Sequence, residues 1–286
     1  LDNNIPGWDS DSSFVLDTDI FRKPEHLNVI EKEKSIHAVS IDASKMILSE
    51  KNMSVTIYAQ FASLIGNTIN PTTGESVKLG NGLIPFGLST KFGPARFKFE
   101  YRMMPSGRFE FGYWDRSYEI ERATFSSLNT SSDSGISTGE IITKDSRLGK
   151  FGKQKGYFST LSLDLGTMIG SSMSYQNLFG EQWSDSENKF NNDRNQSFIA
   201  GIRLKKPISK ITNARWYYQQ RNVPNPFDFE FTESTISGYR VGIKLGNGMI
   251  LNYIFRQSFR DIDGDGKVNG KDETINMTSI ETSFSF

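Results

Sequence analysis

Apolar and polar residues alternate with a period of two along much of this chain, the pattern of strands with one face in an apolar medium and the other in water. In residues 53–65, Val55, Ile57, Ala59, Phe61 and Ile65 alternate with Ser54, Thr56, Tyr58 and Gln60. Ala95, Phe97, Phe99, Tyr101 and Met103 alternate with Arg96, Lys98, Glu100 and Arg102. Pro105-Ser106-Gly107 follows, and then Phe109, Phe111 and Tyr113 alternate with Arg108, Glu110, Gly112 and Trp114, which predicts a hairpin turning at 105–107. Further strands are predicted over residues 157–165, 169–179, 198–205, 212–223, 238–245 and 249–260, with weaker ones at 13–21 and 36–48. Asn247-Gly248 is the strongest two-residue hairpin signal.

The predicted connections alternate in length. Residues 50–52, 105–107, 166–168, 206–211 and 246–248 are short, while 66–84, 123–155, 181–195, 224–233 and 261–272 are long and polar. Up-and-down barrels that cross an outer membrane have this asymmetry, with tight turns on one side and long loops on the other. A Greek-key sandwich gives no reason for it. Taking residues 86–104 as one strand bent at Gly93-Pro94 gives about twelve strands, with both termini on the short-turn side. The fold class expected is therefore all-β, one antiparallel up-and-down transmembrane barrel of about 12 strands. It spans residues 1–286 as a single domain, with residues 1–35 an acidic N-terminal segment and candidate first strand.

The last strand carries a resemblance. Thr278, Ile280, Thr282, Phe284 and Phe286 share one face, Ser279, Glu281, Ser283 and Ser285 the other, and the chain ends on the aromatic Phe286. This tail resembles the C-terminal signature of bacterial outer-membrane β-barrels, a final Phe with an aromatic two residues before it. Glu281 stands where that family often has Gly. The resemblance covers about ten residues and implies a lipid bilayer around the apolar face. It leaves open association with other outer-membrane or surface proteins.

Composition changes the picture in three ways. With 36% hydrophobic residues in 286, a thick soluble core is hard to fill, whereas a barrel with a watery interior needs only an apolar exterior. The absence of Cys removes disulfides, thiol catalysis and Cys-ligated zinc together. Zero net charge speaks against a nucleic-acid partner, and no apolar run reaches the roughly 18 residues of a membrane-spanning helix. With neither an initiator Met nor a secretory signal at its start, the sequence reads as a mature chain or a fragment.

Two constellations carry candidate chemistry. Residues 261–272 match a twelve-residue calcium loop of the EF-hand or dockerin type. Asp261, Asp263, Asp265 and Asp272 stand at positions one, three, five and twelve and Gly266 at position six, with Lys267 supplying its carbonyl and Asn269 the ninth ligand. A structural Ca²⁺ in the last long loop is the expectation, and an acidic turn without metal the alternative. The polar strand faces also carry Arg96, Lys98, Glu100, Arg102, Arg203, Arg215, Arg240, Lys244 and Arg256. If these line a lumen it is basic, and rings of Arg and Lys favour anions. Charges that pair across a narrow barrel give a neutralised interior instead. Catalysis is poorly supplied, because the chain has only His26 and His37 and nothing beyond chance sets either with a Ser or carboxylate partner.

The reading is thus an outer-membrane barrel of a bacterium, not an enzyme, acting as a pore or a loop-presenting surface protein. The alternative is a secreted β-sandwich that binds carbohydrate or a partner protein through its aromatic faces.

Overall fold

The computed structural model describes residues 36–70, 72–114, 123–125, 129–130, 137–138, 141–184, 187–228, 230–246, 248–261, 268 and 272–284. Eleven strands form one antiparallel sheet in sequence order. They are β1 (His37–Ser49), β2 (Met53–Ile65), β3 (Asn81–Phe92), β4 (Ala95–Met104), β5 (Phe151–Leu165) and β6 (Ile169–Ser184), then β7 (Lys189–Leu204), β8 (Ile211–Val223), β9 (Ile236–Gly246), β10 (Met249–Phe259) and β11 (Thr274–Phe284). No helix among the described residues is long and apolar enough to cross a membrane.

Three expectations are corrected. Residues 86–104 are not one bent strand but the hairpin β3–β4, with Phe92 paired to Ala95 across Gly93-Pro94. Gly93 takes a φ of 53°, a left-handed value that a side chain resists, so the glycine allows a tight turn instead of a bend. The predicted hairpin at 105–107 does not form either, because residues 109–114 are coil and turn and β4 pairs with β5 instead. Finally, the polar stretch 181–195 is mostly strand. β6 and β7 run past it in register, Glu181 opposite Asn192 and Trp183 opposite Phe190, and leave only residues 185–188 between them. A strand polar on both faces shows no alternation, which is why it reads as a loop.

The connections still sort by side. Those at 50–52, 93–94, 166–168, 205–210 and 247–248 lie at one end of the sheet. The strand ends joined through 66–80, 105–150, 185–188, 224–235 and 260–273 lie at the other end. Asn67–Ile69 pairs with Ser76–Lys78 inside the first of these, and Lys144–Arg147 is a single helical turn in the second. Thr143 caps that turn by accepting from the Ser146 N–H. In a sheet of eleven antiparallel strands the first and last run the same way, so β1 and β11 close antiparallel only through a further strand. The candidate at 13–21 lies outside the described residues.

The two faces differ as the alternation predicts. Pairing puts Val55, Thr90, Phe97, Leu161, Met173, Ala200 and Tyr218 in one continuous row across β2 to β8. Below the Tyr101–Tyr157 pair, no charged residue stands on that face from β2 to β11 among the described residues. Large apolar side chains there are open to the surroundings, including Phe86, Phe92, Met173, Ile202, Leu245 and Ile280. The opposite face is concave. Asn213 on β8 reaches Asn252 on β10 at 3.4 Å across the intervening Gly242, where a Cβ would stand 2.2 Å from the Asn213 Nδ2.

Candidate functional site: a plugged polar face with a basic vestibule

Every basic or acidic residue singled out above for a lumen projects from the concave face. Lys98, Glu100 and Arg102 follow one another at i, i+2 and i+4 on β4, a spacing that keeps them on one side of a strand. Glu100 is almost wholly buried at 1% exposure and is the hub of the group. It accepts from the Tyr58 hydroxyl at 2.7 Å and from Arg102 Nε at 2.7 Å, and Lys98 Nζ lies 2.5 Å away. Gly87 makes room for the Tyr58 ring, which a Cβ there would meet at 2.4 Å. Arg102 also donates to Gln176 Oε1 at 2.5 Å and sits between Phe158 and Phe111, its guanidinium carbon 3.7 and 4.7 Å from the ring centres.

Phe111 belongs to the segment that the alternation had placed in a strand. Residues 105–114 instead turn inward over the concave face. Phe109 packs above Gly82, where a Cβ would sit 2.2 Å from its ring. Phe109 and Tyr113 join Leu64, Leu79, Met104, Leu148 and Leu178 in the one buried hydrophobic cluster found among the described residues. Glu110 pairs with Arg221 of β8 at 3.5 Å and accepts from Asn222 Nδ2 at 3.1 Å, while Arg221 Nη2 donates to the Phe111 carbonyl at 2.8 Å. The segment therefore ties β4 to β8 across the hollow. Behind it, the Tyr113 hydroxyl donates to Asp145, whose carboxyl burial pushes above the usual range. A hollow of about 410 Å³ remains beside the plug, between β1–β2 and Phe109, Phe111 and Tyr113.

Toward the short-turn end the concave face is open. A cavity of about 260 Å³ there is lined by Arg96, Ser162, Asp164, Gly170, Ser172, Gly201, Arg203 and Arg215 among others. Asp164 is shared by Lys205 at 3.0 Å and Arg96 at 3.8 Å. Arg215 stands directly between Arg203 and Arg240 on its neighbouring strands. Arg240 reaches Glu281 at 3.5 Å, and Arg256 contacts the Met277 sulfur at 3.1 Å. Lys244 pairs with Ile250 on the same face.

Most of the candidate calcium loop lies outside the described residues. Asp263, Asp265, Lys267 and Asn269 lie outside the described residues, as does Phe286, and only Asp261 and Asp272 of the proposed ligands are described. No cluster of three or more metal-binding side chains occurs among the described residues.

Sequence reasoning found the charges of the concave face but missed what neutralises their upper part. The Glu110–Arg221 pair joins residues 111 positions apart in the chain, and nothing in the local pattern links them. The glycines at 82 and 87 are the one available signal, since small residues inside a strand often mark close approach of another group.

No family model and no curated protein matches the chain. Among solved structures, a NanC porin aligns with 88% of this chain and 97% of its own, at 11% identity and a TM-score of 0.31. A Pseudomonas aeruginosa FadL homologue aligns with 87% of this chain and 66% of its own, at 10% identity and a TM-score of 0.29. Scores this low carry no inference about this chain.

Proposed function

We propose that this protein is a bacterial outer-membrane β-barrel that passes small, preferentially anionic solutes along its concave face, past a constriction made by residues 105–114. The observation that carries the reading is the contrast between faces. One is an uncharged belt of exposed apolar and aromatic side chains across ten consecutive strands, and the other is charged, hydrogen-bonded and hollow. Exposed apolar patches on monomeric soluble proteins rarely exceed a few hundred Å². A belt of this extent calls for an apolar medium, and a bilayer supplies it without a second protein layer.

Charge and plug then divide the hollow into two functional parts. The plug end is narrow and its charges are paired, Glu100 with Lys98 and Arg102 and Glu110 with Arg221. The short-turn end keeps an excess of arginine and lysine, which draws anions toward the constriction. Chains built this way refold in detergent or lipid and resist unfolding until heated. We therefore expect the purified protein to migrate differently on gels before and after boiling, and to conduct in planar bilayers with a reversal potential displaced toward that of chloride. A protein that stays monomeric and folded without detergent contradicts the barrel. A folded, heat-modifiable protein with cation-selective conductance contradicts only the anion preference.

A further inference from the structure

Building on the barrel reading, we infer that the vestibule at the short-turn end is a binding site for a small oxyanion, a carboxylate or phosphate group carried by a solute, held by Arg203 and Arg215. The two arginines are direct cross-strand partners, and Arg240 continues the row on β9. Paired positions on one face put Cβ atoms about 4.5–5.5 Å apart, and like charges set opposite one another repel. Nearby carboxylates offset that repulsion only in part, Asp164 attracting Arg203 across Gly170 without forming an ion pair with it. Asp164 is held by Lys205 and Arg96, and Glu281 lies on the far side of Arg240, so no ion pair forms at Arg203 or Arg215 among the described residues.

What faces these guanidinium groups is open space, not packing. Gly170 and Gly201 occupy the neighbouring inward positions on β6 and β7 and line the cavity with no side chain of their own. The three atoms nearest an added Cβ at Gly170 would be Lys205 Cγ and Cδ and Arg203 Nε, at 3.5–3.6 Å. Ser162 and Ser172, directly paired on β5 and β6, add hydroxyls to the same wall. At about 260 Å³ the cavity falls below the roughly 300–1,000 Å³ of pockets for drug-sized ligands, which suits one small anion with its waters. Guanidinium groups present paired N–H donors that match the two oxygens of a carboxylate or phosphate, and hydroxyls accept or donate to whatever polar group it bears.

Calorimetric titration of the detergent-folded protein in low-chloride buffer tests the assignment, with inorganic phosphate, glucuronate and, as the uncharged control, glucose. The expected result is saturable binding of phosphate or glucuronate, weakened by added chloride, and no heat from glucose. In both Arg203→Gln and Arg215→Gln the affinity should fall about tenfold or more, as loss of a charge-assisted hydrogen bond implies. Lys189→Gln, exposed at the end of β7 farthest from the vestibule, should leave the affinity within about twofold of wild type. Each variant is first checked for the same heat-modifiable gel shift, so that a folding defect is not read as lost binding. Saturation by neither anion, equal binding of glucose, or unchanged affinity in both vestibule variants overturns the inference. Those outcomes in a protein that is heat-modifiable and conducts leave the barrel standing. Binding by a protein that needs no detergent would instead keep the arginine site and sink the membrane reading.

Discussion

Replacing Glu100 with alanine is expected to destabilise the folded protein by about 3–5 kcal/mol, the cost of leaving the partners of a buried ion pair without their counter-charge. Glu100 is the one acidic residue of β4 and is almost wholly buried, and three neighbours aim at it, Tyr58, Lys98 and Arg102. Arg102 cannot swing away once its carboxylate is gone. It is confined between the rings of Phe158 and Phe111 and hydrogen-bonded to Gln176, and Arg221 of β8 holds the Phe111 carbonyl. Glu100→Gln keeps the shape and one acceptor and should cost less, on the order of 1–3 kcal/mol. Denaturant titration of the protein in detergent micelles, followed by tryptophan fluorescence, reads these values. A Glu100→Ala midpoint equal to that of wild type would mean that the cluster is solvated and the plug does not cover it.

Arginine placed on the convex face is the second large effect. Phe99→Arg should cost about 2–4 kcal/mol if the residue sits near the bilayer midplane, falling to about 0–1 kcal/mol for Phe92→Arg at the rim beside the tight turn. Phe99 pairs with Leu88 and Ser159 on a face without charge, so the new guanidinium finds no partner there. The opposite face gives the control. Ile254 projects inward between Arg240 and Ser279, and Ile254→Gln should change stability by under about 1 kcal/mol because that face is already polar and wet. In a soluble sandwich whose core lay on the concave side, the order would reverse, with Ile254→Gln the costly change and Phe99→Arg a surface substitution. Refolding free energies in lipid vesicles decide between the two orders.

The strands and their facing were largely legible because a period of two is enforced wherever a strand separates lipid or core from water. Ala95 to Met103 and Tyr239 to Leu245 keep that alternation, and the structure pairs them in the register it implies. The failures have physical causes. Phe109, Phe111 and Tyr113 alternate as a strand would, but their rings are spent on packing inside the hollow, and alternation by itself does not distinguish an extended plug from a paired strand. The upper ends of β6 and β7 carry polar residues on both faces, so residues such as Asn191, Asn192 and Asp193 lose all contrast. The strand count differs by one from the twelve expected, and the missing candidate at 13–21 lies outside the described residues.

The candidate site was legible by halves. The arginines could be assigned to one face from parity, but their standing in direct register on three neighbouring strands depends on the bulge near Asn213 and on hairpin lengths that no local rule supplies. The division into a neutralised and an unneutralised part rests on Glu110, which reaches Arg221 only because residues 105–114 fold back over the sheet.

The central claim, that the convex face lies in lipid and the concave face in water, is tested most directly by spin labels placed one at a time at Phe97, Val241 and Leu251 and at their inward neighbours Lys98, Arg240 and Asn252. In reconstituted vesicles the first three should be relaxed by dissolved oxygen and shielded from a water-soluble nickel complex, and the second three should show the opposite preference or be shielded from both by packing. Equal access of the nickel complex to Phe97, Val241 and Leu251 would contradict the account.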